Sequence, residues 1–108
     1  MKKGELWLVE LPSVNSHEQG GTRPALIISD PEANTVVILP FTSNVQALRF
    51  PHTVEVNSSK RNGLTELSIA LVFQVRAIDR KRLKIKVGEI EEGKMKEIDI
   101  LLKKLLQL

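Results

Sequence analysis

The sequence has no cysteine and no tyrosine, and its few aromatic residues are one tryptophan and three phenylalanines. The absence of cysteine excludes disulfides and thiolate metal sites, and nothing indicates an oxidising compartment. No apolar run approaches the ~18 residues that a membrane-spanning helix requires. Residues 1–5 lack the apolar core of a signal peptide. We therefore expect a protein that is located in the cytoplasm and has no membrane partner.

The sequence also lacks the residues that several kinds of catalytic and binding site require. The two histidines, His17 and His52, lie far apart in the sequence and belong to no spaced set of ligands, so we expect no metal site. No serine lies in a nucleophile-elbow motif, and no glycine-rich loop of the type that holds nucleotide phosphates is present. RNA-binding signatures built on stacked aromatic rings are missing as well. We expect a protein that needs no cofactor.

The charge that is present is unevenly distributed along the chain. The formal net charge is +3, and basic residues crowd the second half, ahead of an acidic segment. The basic set consists of Lys60, Arg61, Arg76, Arg80, Lys81, Arg82, Lys84 and Lys86. Such a block fits the electrostatic footprint of a nucleic-acid-binding surface, and it fits a solvated face equally well.

The pattern of apolar residues predicts a single domain, residues 1–108, that is made of short strands and one helix. Strands are predicted over residues 5–11, 24–29, 35–42, 52–56, 66–73, 75–79 and 83–87, with a bend or bulge near Gln74. From about Glu91 the apolar residues recur at helical spacing, which predicts a C-terminal helix. This order predicts a mainly β (α+β) fold, a small, strongly bent antiparallel barrel with the helix packed against it.

Arg23 marks the junction between a polar loop and an apolar strand. The loop, residues 13–22, contains Gly20 and Gly21, which allow a sharp turn or a close approach of the backbone to a ligand. Pro24 fixes its own φ near −65° and restrains Arg23 towards extended geometry. The rigid fork of guanidinium donors suits a phosphate group. Arg23 is therefore a candidate phosphate ligand, and the alternative is a surface arginine that ends a loop.

Polar residues also lie where two other strands end or bend. Thr42, Ser43 and Asn44 close the third predicted strand, where a hydroxyl group could hydrogen-bond a phosphate oxygen or belong to a plain turn. Gln74 and Arg76 border the predicted bend, where a bulge could aim them into a groove. Salt bridges and solvation are the alternative for these two side chains.

Three stretches of the sequence, taken together, resemble one known family. Residues 4–9, GELWLV, followed by residues 18–28, EQGGTRPALII, resemble the opening of the MazF/PemK (Kid) toxins. Thr42-Ser43 is similar to the Thr-Ser pair that follows the third strand of that family. Residues 74–83, QVRAIDRKRL, are similar to its Gln-x-Arg-Thr-Ile-Asp-Lys-x-Arg-Leu stretch. The resemblance extends from Lys3 to the C-terminal helix.

The resemblance implies a fold and an activity. The fold is an SH3-like, CcdB-type barrel in a homodimer. The activity is that of a type II toxin–antitoxin system: sequence-specific, metal-independent cleavage of single-stranded RNA by an mRNA interferase, with a 2′,3′-cyclic phosphate as the product. The implied partner is a MazE-like antitoxin whose extended tail occupies the RNA groove and with which the toxin binds DNA.

The resemblance also assigns residues. Arg23 and Thr42 match the pair that is linked to catalysis, and His17 lies in the loop where some members place an acid or base. The positions where RNA contacts are expected are Glu18, Gln19, Thr22, Ser43, Asn44, Gln74 and Arg76.

One position departs from the family pattern. Several members carry an acidic residue just ahead of the glutamine, where this chain has Phe73. A mechanism that needs that carboxylate as the base does not fit this sequence. Phe73 could offer a stacking face to a base, or it could pack in the core. The alternative function is therefore a non-catalytic RNA-binding protein, or one that resembles the gyrase poisons, on the same fold.

Overall fold

The computed structural model describes residues 2–11 and 21–108, which form seven β-strands and one α-helix. In chain order the elements are β1 (Glu5–Leu11), β2 (Gly21–Ser29), β3 (Thr35–Thr42), β4 (Thr53–Val56), β5 (Ser68–Leu71), β6 (Arg76–Asp79), β7 (Leu83–Glu89) and α1 (Glu92–Leu106). Three short 3₁₀ segments, Val45–Arg49, Val72–Gln74 and Arg80–Arg82, join some of the strands. No helix within the described ranges is long and apolar enough to cross a bilayer.

The strands pair in the order β4-β5-β3-β2-β1-β7, and every pairing is antiparallel. β3 connects the two parts of the sheet, because residues 35–38 pair with β6 whereas Phe41 and Thr42 pair with β5. Among residues 2–11 and 21–108 no pairing joins β4 to β7, so the sheet is not closed into a complete barrel. The predicted mainly β fold with a C-terminal helix is confirmed.

The central part of β2, Ala25–Ile27, is buried on both of its faces. Leu26 belongs to the apolar cluster that includes residues of α1, and its neighbours Ala25 and Ile27 belong to a second cluster. All three side chains have no exposed surface. A strand that is covered on both sides has no polar positions to alternate with apolar ones, which explains the continuous apolar run in the sequence.

α1 packs on the sheet as its apolar spacing predicts. Ile98 and Leu102 are its buried residues, and both belong to the same cluster as Leu26. The helix is followed by Gln107 in a left-handed conformation, with φ 58° and ψ 44°. The Gln107 N–H donates to the carbonyl oxygens of Lys103 and Lys104, so carbonyls of the last turn are satisfied.

The start of β2 differs from the prediction. The strand begins at Gly21, although the apolar run predicted a start at Pro24. Its polar first half pairs with β1, with Thr22 opposite Glu10 and Gly21 opposite Leu11. Backbone pairing places these residues in the strand, and hydropathy alone does not detect it. Arg23 is therefore a strand residue rather than the end of a loop.

The bend that was predicted near Gln74 is a single 3₁₀ turn. The predicted strand over residues 66–73 is shorter, because β5 ends at Leu71 and the 3₁₀ segment Val72–Gln74 follows it. The Val75 N–H donates to the Val72 carbonyl oxygen at 3.1 Å and closes this turn. The chain then enters β6 and pairs with the first half of β3.

Candidate active site

Arg23 and Thr42 are brought together by the register of β2 and β3. The two strands are antiparallel neighbours, and Ala25 lies opposite Pro40. Beyond this pair the chains lead to Arg23 on β2 and to Thr42 on β3, and the Arg23 side chain reaches the carbonyl oxygen of Phe41, the residue before Thr42. Arg23 pairs with Val9 of β1, so its backbone is held by that strand. A guanidinium and a hydroxyl group that are far apart in sequence therefore meet at one end of the sheet.

Both residues line a cavity of about 440 Å³. This volume lies in the range of small-molecule and cofactor sites, roughly 300–1,000 Å³. Three segments form its walls: the start of β2, the end of β3, and the connection from β4 to β5. Its lining residues are Thr22, Arg23, Pro24, Phe41, Thr42, Ser43, Asn44, Leu64, Thr65, Glu66 and Ser68.

The Arg23 side chain is half-buried, and the described residues satisfy only some of its hydrogen-bond donors. Nη1 donates to the Phe41 carbonyl oxygen at 3.4 Å, and Nε is buried with no hydrogen-bond partner among the described residues. Burial lowers the pKa of Arg23, but an arginine side chain remains a cation in proteins. The remaining N–H donors can therefore bind an anion in the cavity, where charge interactions are stronger than in open water.

Thr42 is nearly buried and is fixed by its neighbour. The side chain is 9% exposed, and its Oγ1 accepts a hydrogen bond from the Asn44 N–H at 3.2 Å. The Asn44 Oδ1 in turn accepts from the Gln46 N–H at 3.0 Å and caps the 3₁₀ segment Val45–Arg49. Because this contact uses Oγ1 as an acceptor, the hydroxyl proton of Thr42 remains available for a ligand oxygen.

The predicted site residues divide into three groups. Thr22, Ser43 and Asn44 are exposed and line the cavity beside Arg23 and Thr42. Gln74 and Arg76 are exposed but do not line it. His17, Glu18 and Gln19 lie outside the described residues.

Arg76 lies away from the cavity because of where β6 pairs. It is opposite Ile38, four residues before Thr42 on β3. At about 3.3 Å per residue this separates the two positions by roughly 13 Å along the strand. Its predicted RNA contact would therefore require a ligand that extends well beyond the cavity.

Phe73 is half-buried and contacts another aromatic side chain. Its ring centroid lies 5.8 Å from that of Phe50, with an angle of 43° between the planes. Phe50 itself is 59% exposed. Phe73 therefore packs against an exposed ring rather than in the centre of the core, and it does not line the cavity of Arg23.

Sequence reasoning missed the third wall of the cavity. Thr65, Glu66 and Ser68 belong to no motif, and residues 66–73 were interpreted as a strand. Their position depends on the pairing of β5 with β3 and β4, which joins segments that are distant in sequence. Among the described residues, no group of three or more histidine, aspartate or glutamate side chains could hold a metal ion.

The chain is a small, mainly β domain with an open antiparallel sheet, one terminal helix and a cavity at one end of the sheet that contains a guanidinium group. Solved structures of other proteins share this fold. MazF from Deinococcus radiodurans is 25% identical and superposes with a TM-score of 0.82 over 100% of this chain and 97% of that one. A mycobacterial endoribonuclease, solved in complex with its cognate antitoxin, is 20% identical with a TM-score of 0.77, over 100% and 96% of the two chains.

The family follows from the sequence comparisons. Residues 2–106 match the family described as PemK-like, MazF-like toxin of type II toxin-antitoxin system. Endoribonuclease MazF of Staphylococcus saprophyticus is 35% identical over 103 residues, which cover 92% of this chain and 85% of the relative. The chain therefore belongs to the PemK/MazF family of type II toxins, and the resemblance seen in its motifs is confirmed.

Proposed function

We propose that this chain is a toxin that cleaves single-stranded RNA, with Arg23 and Thr42 as its catalytic residues. Membership of the PemK/MazF family supports the role of a toxin, and the relative named Endoribonuclease MazF supports endoribonuclease activity. The observation that carries the residue assignment is the shared cavity, which places a partly unsatisfied guanidinium beside a hydroxyl donor.

The chemistry requires two things from the protein. The 2′-hydroxyl oxygen of a ribose attacks the adjacent phosphorus, and the bond from phosphorus to the 5′-oxygen breaks. The products are a 2′,3′-cyclic phosphate and a free 5′-hydroxyl group. The protein must stabilise negative charge that develops on the phosphorane, and it must assist transfer of a proton from the 2′-hydroxyl group to the leaving oxygen.

Arg23 and Thr42 meet the first requirement. The Arg23 guanidinium is suited to contact two phosphate oxygens at once, and Thr42 can donate its proton to a non-bridging oxygen. A preorganised donor of this kind typically contributes about 2.7–4 kcal/mol to transition-state stabilisation. His17 is our candidate for proton transfer, because histidine titrates near neutral pH. That assignment rests on the resemblance of its loop to the family.

The remaining predicted residues would hold the RNA strand. Thr22, Ser43 and Asn44 are exposed at the cavity and offer hydroxyl and amide groups to the backbone next to the cleaved bond. Glu18, Gln19, Gln74 and Arg76 would contact nucleotides further along the strand.

We infer the partners from the same family. Solved relatives include a MazE–MazF complex from Deinococcus radiodurans, whose chain is 25% identical to this one. We expect this chain to form a homodimer and to bind a MazE-like antitoxin in the cytoplasm, and to bind DNA as part of that complex. The antitoxin tail would compete with RNA for the cavity.

One oligonucleotide experiment tests the function. A single-stranded RNA and its copy with 2′-deoxyribose at every position are incubated with the protein in the presence of EDTA. We expect cleavage of the RNA alone, with 2′,3′-cyclic phosphate ends identified by mass spectrometry. Cleavage of the deoxyribose copy would contradict the mechanism. An intact RNA that still binds the protein would favour a non-catalytic RNA-binding protein. Inhibition of gyrase would favour a protein that resembles the gyrase poisons.

A further inference from the structure

A third segment of the chain lines the cavity of Arg23 and Thr42 and carries an acidic side chain. The segment connects β4 to β5, and among the described residues that line the cavity Glu66 is the only acidic one. Its side chain is exposed. A carboxylate at this position repels the phosphates of RNA, so it weakens binding unless the ligand also gives it a donor.

The backbone around Glu66 is fixed at both ends. On one side, the Leu64 N–H donates to Oδ1 of Asn62 at 3.0 Å, and Asn62 has no exposed surface. On the other side, the Ser68 hydroxyl group donates to the Glu66 carbonyl oxygen at 3.0 Å. Ser68 is buried and pairs with Val56 of β4. The Glu66 side chain therefore starts from a defined position in the cavity wall.

The Glu66 carboxylate is not used by the described part of the protein. It forms no hydrogen bond and no ion pair with a described residue, and in particular it does not pair with Arg23. None of the described carboxylates pairs with Arg23, so none of them competes with a phosphate for its charge. Glu66 keeps both carboxylate oxygens as acceptors for a donor on the ligand.

RNA carries suitable donors on its bases. Because Glu66 lines the same cavity as Arg23 and Thr42, a nucleotide whose phosphate lies against those two residues can place its base against Glu66. Adenine, cytosine and guanine carry an exocyclic amino group that can donate to a carboxylate. The pairing edge of uracil has one donor, N3–H, which lies between two carbonyl oxygens that repel a carboxylate. A hydrogen bond from an amino group would offset the repulsion between Glu66 and phosphate, and uracil has no amino group to provide it.

We propose that Glu66 determines base preference. It selects a base with an exocyclic amino group at a nucleotide bound beside Arg23 and Thr42, and it disfavours uracil there. This inference rests on the proposed RNA cleavage and adds a substrate preference to it. In this arrangement Arg23 and Thr42 bind the phosphate, and Glu66 on another wall of the cavity recognises the base.

The test compares cut sites on one long RNA. The 5′-hydroxyl ends are sequenced after digestion by the wild type, by Glu66→Gln and by Glu66→Ala. Glu92→Gln is the matched control, because it removes the same charge from the exposed first turn of α1, outside the cavity. Thermal unfolding confirms that each variant is folded.

We expect the wild type to exclude uracil at one fixed position of its cut site. In Glu66→Gln the discrimination against uracil at that position should fall about tenfold, because a carboxamide can donate to a uracil carbonyl oxygen. Glu66→Ala should lose the discrimination as well, and Glu92→Gln should keep it. On a synthetic RNA, inosine in place of guanosine, or purine riboside in place of adenosine, should slow the wild type and leave Glu66→Ala unaffected, because alanine has no acceptor for the amino group.

Three other outcomes would contradict the role of Glu66, and one of them would also contradict the proposed RNA cleavage. An equal loss of rate at all sites, with the preference unchanged and the acidic limb of the pH–rate profile altered, would make Glu66 a proton acceptor and overturn the inference. Identical preferences in all variants would overturn it too, and would leave the cleavage proposal intact. A wild type that cuts no RNA would overturn both.

Discussion

The Arg23 guanidinium donates from Nη1 to the Phe41 carbonyl oxygen at 3.4 Å, which ties the first half of β2 to the residue that precedes Thr42. The contact crosses two neighbouring strands, so the separation of the guanidinium and the Thr42 hydroxyl group is set by the sheet and not by a loop. Groups on rigid elements keep their geometry when a ligand binds. The phosphate site that we propose is therefore preorganised.

Arg23→Ala is expected to lower the rate of RNA cleavage by about 10²-fold or more, because it removes the charge that faces the phosphorane. Arg23→Lys should give an intermediate rate, since an ammonium group keeps the charge but lacks the fork of donors. Single-turnover cleavage of a fluorescent RNA measures both effects, and circular dichroism checks the fold.

Arg49→Ala is the control for Arg23. Arg49 is exposed, does not line the cavity, and contacts Gln46 on its own 3₁₀ segment. Its removal tests for a general effect of lost positive charge, and the rate should stay near that of the wild type. Cleavage at the wild-type rate by Arg23→Ala would reject the catalytic role.

Thr42→Val is expected to slow cleavage by about tenfold or more, because valine keeps the shape of threonine but cannot donate to a phosphate oxygen. It also leaves the Asn44 N–H without its acceptor, which should lower the free energy of unfolding by about 1 kcal/mol. Thr42→Ser keeps the hydroxyl group and should retain most of the activity. Cleavage rates and urea denaturation separate the two effects.

Thr35→Val serves as the matched substitution for Thr42→Val. Thr35 is exposed at the opposite end of β3, opposite Asp79 of β6. We expect no change in rate. If Thr42→Ser were as slow as Thr42→Val, the hydroxyl group would not be the part of Thr42 that matters.

The strands that were predicted with correct bounds are those whose ends are visible in the sequence. β1 ends just before Pro12, and β3 ends where Thr42 gives way to a polar run, so the sequence marks both ends. β2 was predicted to begin late, because Thr22 and Arg23 are polar strand residues that only backbone pairing identifies.

The site was partly predictable for a similar reason. Arg23 and Thr42 were recognisable as residues of a motif. Their proximity in space depends on the register of β2 with β3, which cannot be read from the sequence. Glu66 carries no local signal, since the connection that holds it is placed by Asn62 and by the pairing of β5. Local patterns identify single residues, and long-range pairing decides which of them share a cavity.

Gly63→Ala is expected to destabilise the fold by at least about 2 kcal/mol. Gly63 has φ +73°, and a Cβ atom there would lie 2.0 Å from the Val87 carbonyl oxygen, which is backbone and cannot move away cheaply. Gly93→Ala should have the opposite sign. An added Cβ at Gly93 meets nothing within 4 Å, and alanine favours the helix by up to about 1 kcal/mol.

Urea denaturation of the two alanine variants measures this difference. Because both variants add the same methyl group to a glycine, general effects of the substitution cancel in the comparison. Equal free energies of unfolding for the two would contradict the close approach of Gly63 to β7.

Asp30→Asn is expected to remove part of the acid sensitivity of the fold. The Asp30 carboxylate accepts from Nη1 of Arg80 at 3.1 Å and also from Nη2, in a two-pronged ion pair. The hydrogen bonds from Arg80 hold the pKa of Asp30 well below its ordinary value of 3.8. On acidification the unfolded chain binds a proton at this position before the folded one does. The stabilisation is therefore complete above about pH 5 and is lost progressively as the pH falls below that value.

Urea denaturation between pH 7 and pH 2.5 should show this dependence. The wild type should be more stable than Asp30→Asn at neutral pH, and the difference should shrink below about pH 5, because the unfolded wild-type chain takes up a proton at Asp30 before the folded one does. Asp99→Asn is the control, because Asp99 pairs with Lys3 at 3.0 Å on an exposed surface, where such pairs contribute little. A difference between wild type and Asp30→Asn that is independent of pH would show that the ion pair with Arg80 does not stabilise the junction of β2, β3 and β6.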